Sequence, residues 1–357
     1  MSTFIIAEAG VNHNGDLDKA LELVDVAVMA GADAVKFQTF KAANLASEAA
    51  GKANYQKKLT DSSESQVAML KRLELPHEHH FRLKDYCEKK NIEFMSTAFD
   101  LESLDFLLGN MSLRRLKLPS GEITNLPLVY AHAKSGMELI VSTGMATVSE
   151  IEQALMVVAG GYLEHSGQPV NLDWEKAYFS KKAQDIMSQK ASLLHCVTEY
   201  PAPADSLNLK AVEHLRKTFG LNTGYSDHSL GIWAPISAVT LGATIIEKHF
   251  TLDKTLSGPD HQASLEPNEL KAMIEGIRNV EEALGDGIKR PNIAELVNRE
   301  PARKSLVVEK PLKRGELITE AHLAVKRPEG GLSPTKYWSM LGRTASRDYT
   351  TGEFIVE

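Results

Sequence analysis

Short apolar runs rich in Ile, Val and Leu alternate, over most of the chain, with longer segments whose apolar positions recur every three or four residues. That alternation is the mark of βα units around a parallel sheet. Eight runs have strand length, at 4–8, 34–38, 93–97, 115–119, 139–142, 192–196, 223–226 and 244–249. Helical periodicity is clearest at 17–30, 76–89, 147–159 and 267–284. Eight strands with intervening helices predict closure into a (β/α)8 TIM barrel. An open doubly wound sheet is the alternative, but no Gly-x-Gly-x-x-Gly follows the first run, so a dinucleotide crevice lacks its main signature.

Two connections, 41–65 and 160–190, are longer than a barrel needs, polar and irregular, and read as long loops. The βα pattern stops near Gly285, and the Pro- and Asn-containing stretch 286–301 reads as a linker. From 302 to 357 the period changes to alternating, strand-like pieces at 305–308, 323–325 and 353–356, broken by Gly-containing turns. The expected organisation is a barrel over 1–285, a linker over 286–301 and a small β-rich domain over 302–357.

A chain of 357 residues has enough apolar sequence to give both parts a core. The two cysteines, Cys87 and Cys196, sit in strongly patterned segments without a C-x-x-C spacing, which argues against a disulfide framework. The first ten residues have neither the basic start nor the apolar stretch of a signal peptide, and no run is long and apolar enough to span a membrane, so a cytoplasmic location is expected. A net charge of −7 disfavours nucleic acid as a general partner, while leaving room for a few lysines gathered in one cleft around an anionic metabolite.

Barrel enzymes carry their chemistry at the C-terminal strand ends. Here those ends are polar throughout: Glu8; Lys36 and Gln38; Ser96 and Thr97; Lys117 and Ser120; Ser142; Thr198 and Tyr200; Ser226 and His228; Glu247 and His249. Strand alternation projects Lys36 with Gln38, and Glu247 with His249, from one face. A single polar strand end is ordinary surface, whereas a polar residue at all eight is not. Lys36 and Lys117, with hydroxyls at Thr97, Ser120, Ser142 and Ser226, suit phosphate and carboxylate oxygens, although either lysine could instead form a Schiff base. His228 and His249 could hold a divalent ion beside Glu8 and Glu247, or act singly as hydrogen-bonded or catalytic imidazoles. His77-Glu78-His79-His80 fails the H-E-x-x-H pattern because Phe81 takes the fifth place, and reads as solvated helix surface after Pro76. Asn12-His13-Asn14-Gly15 is a tight turn, structural or ligand-facing, and Cys196 reads as a core thiol.

An ordered set of motifs adds a family. Ala-Glu-Ala-Gly-Val-Asn-His-Asn-Gly (7–15), Val-Lys-Phe-Gln-Thr (35–39), Lys-Leu-Pro-Ser-Gly-Glu (117–122), Ser-Thr-Gly-Met (142–145), Ser-Asp-His-Ser (226–229), Glu-Lys-His-Phe (247–250), Gly-Pro-Asp-His (258–261) and Lys-Arg-Pro (326–328) follow one another along nearly the whole chain. In this the sequence resembles the sialic acid synthases, which condense phosphoenolpyruvate with an N-acyl-hexosamine to make N-acetylneuraminate and related nine-carbon sugar acids. The resemblance implies a barrel followed by an antifreeze-like (SAF) domain, a domain-swapped homodimer in which that domain covers the partner's site, and a catalytic Mn2+ or Mg2+. It implies phosphoenolpyruvate among Lys36, Gln38, Thr97, Lys117, Ser120, Ser142, Thr198 and Ser226, and the metal on His228 and His249. Glu8, Tyr200, Glu247 and Asp260 would face the sugar, Arg327 would reach it from the partner, and Glu8, Glu247 and His249 would take part in the chemistry.

The sequence departs from the family pattern where Ala98 replaces a usual proline, where Thr198 replaces an asparagine, at Glu329-Gly330, and in the length of 160–190. The expected reaction is phosphoenolpyruvate plus N-acetylmannosamine and water to N-acetylneuraminate and phosphate. Its nearest alternative uses a 2,4-diacetamido-trideoxy-mannose and gives legionaminate. Two alternatives of other classes are a Schiff-base aldolase working through Lys36 or Lys117, and a carbohydrate- or ice-binding protein using the C-terminal segment.

Overall fold

The structure is a computed structural model that describes residues 2–356 apart from 48–49, 54–55, 58–59, 61–63 and 169. Eight parallel strands close a barrel in sequence order: β1 Phe4–Gly10, β2 Ala34–Thr39, β3 Glu93–Ala98, β4 Arg115–Leu118, β5 Glu138–Ser142, β6 Ala191–Cys196, β7 Asn222–Asp227 and β8 Ile245–His249, with β8 paired back onto β1. The helices between them have conventional ends. Leu17–Ala30, for example, opens where the Asp16 carboxylate accepts from two backbone N–H groups and stops at Gly31, whose φ of 83° suits a residue without Cβ.

Alternation along each strand sorts the apolar residues into two groups. Outward side chains such as Ile5, Ala7, Val35, Phe37, Val141 and Ile246 pack on the helices in the main core. Inward, Ile6, Ala34, Met95, Ile140, Leu194 and Ile245 form a separate apolar floor across the barrel interior. The barrel is therefore filled from below, and the polar strand ends stand on a dry base that weakens solvent screening between them.

The connection 160–190 is not a loop. Helices Val148–His165, Trp174–Tyr178 and Lys181–Lys190 occupy most of it. The Gly160-Gly161 pair serves close packing: a Cβ on Gly161 would stand 2.6 Å from that of Ala133, and one on Gly160 2.4 Å from the Trp174 ring. Thr147 and Glu150 form a reciprocal capping box that starts the first of these helices. Part of the 41–65 connection lies outside the described residues; its described portion includes helix Ala42–Leu45, and helix Gln66–Leu73 follows it.

The chain divides into two compact units, 1–285 and 286–357. The second contains short helices Ile293–Leu296 and Arg299–Ala302, then β9 Ser305–Val308 antiparallel to β10 Leu323–Lys326. Leu306, Val308, Leu312, Ile318, Tyr349 and Ile355 fill its own core. The stretch 353–356 is not a strand: after a turn at Gly352, with φ of 88°, only Phe354 forms a bridge, to Val307. Among the described residues no helix is long and apolar enough to cross a membrane.

Candidate active site

One inward side chain from each strand forms a layer directly above the apolar floor: Glu8, Lys36, Thr97 and Lys117 from β1 to β4, then Ser142, Cys196, Ser226 and Glu247 from β5 to β8. None is more than 4% exposed. They line a cavity of about 210 Å3. Two carboxylates face two ammonium groups across it, so the layer is charge-balanced. Lys36 Nζ lies 2.7 Å from Glu8 Oε2 and 3.5 Å from Glu247 Oε2, and donates to Thr97 Oγ1 at 2.9 Å. Lys117 Nζ reaches Glu247 Oε1 at 3.3 Å, and the Ser226 hydroxyl donates to the same oxygen at 2.7 Å.

The two carboxylates differ in proton affinity. Burial pushes Glu8 up to about 7, against the opposing pull of Lys36. Burial also works to raise Glu247, but Lys117, Lys36 and the Ser226 hydroxyl outweigh it and hold that carboxyl far below the usual range. For Lys36 the nearby carboxylates overcome desolvation and favour the ammonium, whereas burial leaves Lys117 below its ordinary value. Glu8 is thus the member poised to exchange a proton near neutrality, and Glu247 the fixed negative charge.

Above the layer lies a small cradle. Gly144 N donates to Ser120 Oγ at 3.0 Å, and Ser120 Oγ is 3.1 Å from Cys196 Sγ. A Cβ on Gly144 would meet Thr198 Oγ1 at 2.4 Å, Ser120 Oγ at 2.8 Å and Cys196 Sγ at 3.0 Å, so the space exists because residue 144 has no side chain. Ser142 Oγ is buried in the same wall without a protein hydrogen-bond partner, which an oxyanion in the cavity would satisfy.

The opposite arc carries the histidines. His228 Nδ1 donates to Val197 O at 2.6 Å, which leaves Nε2 as a lone-pair donor, 3.0 Å from Tyr200 Oη. Burial pushes His228 down to about 4 and His249 well below the ordinary range, so both imidazoles are neutral at pH 7. Their ring centres are 5.6 Å apart, and His249 Nδ1 is buried without a protein partner. Neutral, oriented imidazoles at this separation fit a divalent cation. Among the described residues no group of three or more His, Cys, Asp and Glu suited to a metal ion is found, so His228 and His249 would be the side chains that hold it. Gly10, at φ +53°, brings Glu8 and His249 together: a Cβ there would stand 3.3 Å from Glu8 Oε1 and from His249 Nδ1.

Outside this centre opens a vestibule of about 590 Å3 that shares Gln38, Phe99, Thr198, Tyr200 and His249 with the inner cavity. Asp260 stands in its wall, pushed up to about 6 by burial. Val11, Leu45, Met69, Leu70, Leu73 and Phe99, which pack in one apolar cluster, add an apolar wall to the same vestibule.

The structure therefore gathers Glu8, Lys36, Gln38, Thr97, Lys117, Ser120, Ser142, Thr198, Tyr200, Ser226, His228, Glu247 and His249 around one cavity and sets Asp260 at its mouth. Arg327 lies in the second unit, directly after β10, at a cis peptide bond to Pro328. Three readings change. Ser96 points away from the cavity and bonds Thr39 at 2.7 Å, because it alternates with Thr97. His80 is fully buried rather than solvated, with Nε2 2.8 Å from Thr39 Oγ1. Cys196 is a wall of the cavity rather than of the core; its parity with Leu194 on β6 carries that signal. Asn12 is structural, its amide donating to Phe250 O at 2.8 Å and Ser264 Oγ at 2.9 Å. Ala98 packs outward in the main core, so its departure from the usual proline leaves Thr97 in place.

Comparison with known proteins agrees with this geometry. The NeuB family matches residues 23–289 and the SAF domain residues 303–357. The chain is 48% identical over 355 residues to the N,N'-diacetyllegionaminic acid synthase of Campylobacter jejuni, covering 99% of each protein. It is 44% identical to the N,N'-diacetyllegionaminic acid synthase of Legionella pneumophila, covering 100% of this chain and 94% of that one. Among solved structures, the N-acetylneuraminic acid synthetase of Leptospira borgpetersenii in complex with citrate superimposes with a TM-score of 0.66 at 34% identity, over 84% of this chain and 90% of the other.

Proposed function

This chain belongs to the NeuB family of phosphoenolpyruvate-dependent nonulosonic acid synthases, and on that premise we propose that it condenses phosphoenolpyruvate with a 2,4-diacetamido-trideoxy-mannose and water to give N,N'-diacetyllegionaminate and phosphate. The observation that carries the reading is the buried layer in which Lys36 and Lys117 face Glu8 and Glu247 beneath the Gly144 cradle. This acceptor is preferred over N-acetylmannosamine on two grounds. The legionaminic acid synthases share 48% and 44% of their residues with the chain. The apolar wall of the vestibule also suits a sugar carrying a second acetyl group and a methyl in place of a hydroxyl.

In this reading the phosphate occupies the cradle of Ser120, Thr198 and Gly144, and the two lysines with Gln38, Thr97, Ser142 and Ser226 hold the phosphate and carboxylate oxygens. A divalent cation, Mn2+ or Mg2+, held by His228 and His249 would polarise the acceptor aldehyde. A bond forms between C3 of phosphoenolpyruvate and the aldehyde carbon, while the aldehyde oxygen takes a proton. Water adds at C2, and the resulting tetrahedral centre expels phosphate to leave a 2-keto acid. Glu8, whose carboxyl is raised to about 7, exchanges the proton, and Glu247 stays ionised to balance the lysines. Tyr200 and Asp260 orient the sugar from the vestibule, and Arg327 of a second copy in a homodimer binds its acylamino group.

The test is phosphate release from phosphoenolpyruvate against a panel of N-acetylmannosamine, its 6-phosphate and the diacetamido sugar, with product masses. The highest kcat/KM falls on the diacetamido sugar; a higher value on N-acetylmannosamine overturns the acceptor assignment. Trapping of pyruvate by borohydride on Lys36 or Lys117, with activity that survives EDTA, overturns the mechanism in favour of a Schiff-base aldolase.

A further inference from the structure

Behind the two histidines lies an ion pair that the chemistry above does not use. Asp227 and Lys248 are register partners on β7 and β8, and both point to the outer face, away from the cavity. Each is 0% exposed, and Lys248 Nζ lies 2.5 Å from Asp227 Oδ2. Further bonds hold the pair: Asp227 Oδ1 accepts from Tyr225 Oη at 2.9 Å and from Ser229 N at 3.0 Å, and Lys248 also donates to Ser229 O.

Such a pair is a poor way to stabilise a barrel. Taking two charges out of water costs several kcal/mol per ion, and well-packed apolar side chains of similar volume generally serve as well or better. Its position suggests another use. Asp227 separates Ser226 from His228, and Lys248 separates Glu247 from His249. His228 lies just beyond the last residue of β7, where its carbonyl accepts from Ala202 N at 2.9 Å, its Nδ1 donates to Val197 O, and only the bridge from Ser229 to Ala202 continues the pairing. Ser229, on its far side, is tied through both its N–H and its carbonyl to the Asp227–Lys248 pair. The residues on both sides of His228 are thus tied to one ion pair, which adds to the bonds from Val197 and Ala202, and that pair is anchored next to His249.

We propose that Asp227 and Lys248 are positioning residues that set the separation and orientation of the His228 and His249 imidazoles for one shared divalent cation. The proposal rests on the metal assignment above. The pair acts through the backbone at 228–229 and 249, whereas Ser226 and Glu247 on the lysine side are held within the strand ladders opposite Cys196 and Ile6, so cation affinity falls further than phosphoenolpyruvate affinity.

The experiment uses the full-length protein stripped of metal, with Mn2+ titrated by electron paramagnetic resonance and phosphoenolpyruvate affinity measured independently without metal. Asp227→Asn alone leaves a buried, unpaired ammonium and lowers the melting temperature. Asp227→Asn combined with Lys248→Met removes both charges and recovers most of that loss, yet binds Mn2+ about 10- to 100-fold more weakly, the range set by loss of groups that orient metal ligands. Phosphoenolpyruvate affinity stays within about threefold, less than the factor of ten that 1.4 kcal/mol represents. Lys248→Arg keeps the charge pair with altered geometry and serves where the double variant does not fold; it too weakens Mn2+ and spares phosphoenolpyruvate. A folded double variant, or Lys248→Arg, that binds Mn2+ as tightly as the parent protein shows the pair to be structural only and overturns the proposal. Failure of the parent protein itself to bind Mn2+ overturns the metal assignment and the proposal with it.

Discussion

Gly144→Ala tests the cradle with the smallest possible change. The new Cβ would lie 2.4 Å from Thr198 Oγ1 and 2.8 Å from Ser120 Oγ, well inside ordinary contact distance. Gly144 is not among the residues with positive φ, so alanine brings no backbone strain, and the less flexible residue even favours folding by roughly 0.4–1 kcal/mol through the unfolded chain. Two hydroxyls must therefore move, and with them the bond from Gly144 N to Ser120 Oγ. Hydrogen bonds to a charged partner contribute about 1.5–3 kcal/mol each. Loss of one of them weakens phosphoenolpyruvate binding by about 10- to 150-fold, while the melting temperature stays close to that of the parent. Calorimetric titration with phosphoenolpyruvate, beside a thermal melt, reads both quantities. Unchanged phosphoenolpyruvate affinity in a folded Gly144→Ala protein would place the phosphate elsewhere and refute the cradle.

Three further outcomes are expected. Burial raises Glu8 from 4.5 to about 7, so the folded protein holds this proton more tightly than the unfolded chain; the associated stability is complete below about 4.5 and lost as pH rises through 7. The loss is at most about 3 kcal/mol, and Glu8→Gln flattens the fall in melting temperature between pH 5 and 8; an unchanged slope contradicts the assignment. Phe99→Ala opens the apolar wall and lowers kcat/KM for the diacetamido sugar by about tenfold, with a smaller effect on N-acetylmannosamine; equal effects on both sugars would show that the wall does not select. Arg327→Ala and Lys117→Met are each inactive alone, but mixing and reassembling them restores roughly a quarter of the parent activity if the arginine acts across a two-fold interface; no recovery on confirmed subunit exchange places Arg327 outside the partner's site.

Much of the site was legible because a barrel converts strand position into spatial position. Glu8, Lys36, Thr97, Lys117, Ser142, Ser226 and Glu247 each sit near the end of an apolar run, and closure alone brings them together. The same parity rule separates Thr97 from Ser96 and would have assigned Cys196 to the cavity. The 160–190 connection misled because its polar, irregular pattern hides two short helices with few buried positions, Ala177 in 174–178 and Ala183 and Met187 in 181–190. His80 misled because a polar cluster at a helix start looks solvated until the strand it packs against, carrying Thr39, is known. The Asp227–Lys248 pair, the cradle at Gly144 and the Gly10 contact between Glu8 and His249 depend on which strands are neighbours, information that local pattern does not contain.

The central claim is that the buried layer condenses phosphoenolpyruvate with an acylamino-sugar. Its most direct test is to incubate metal-stripped protein with phosphoenolpyruvate and the diacetamido sugar, with and without added Mn2+, and to measure phosphate and product mass together. Phosphate is released one-for-one with a product whose mass is that of the acceptor plus one pyruvate, only when Mn2+ is present. Phosphate release without that product, or no release with any acylamino-hexose, would contradict it.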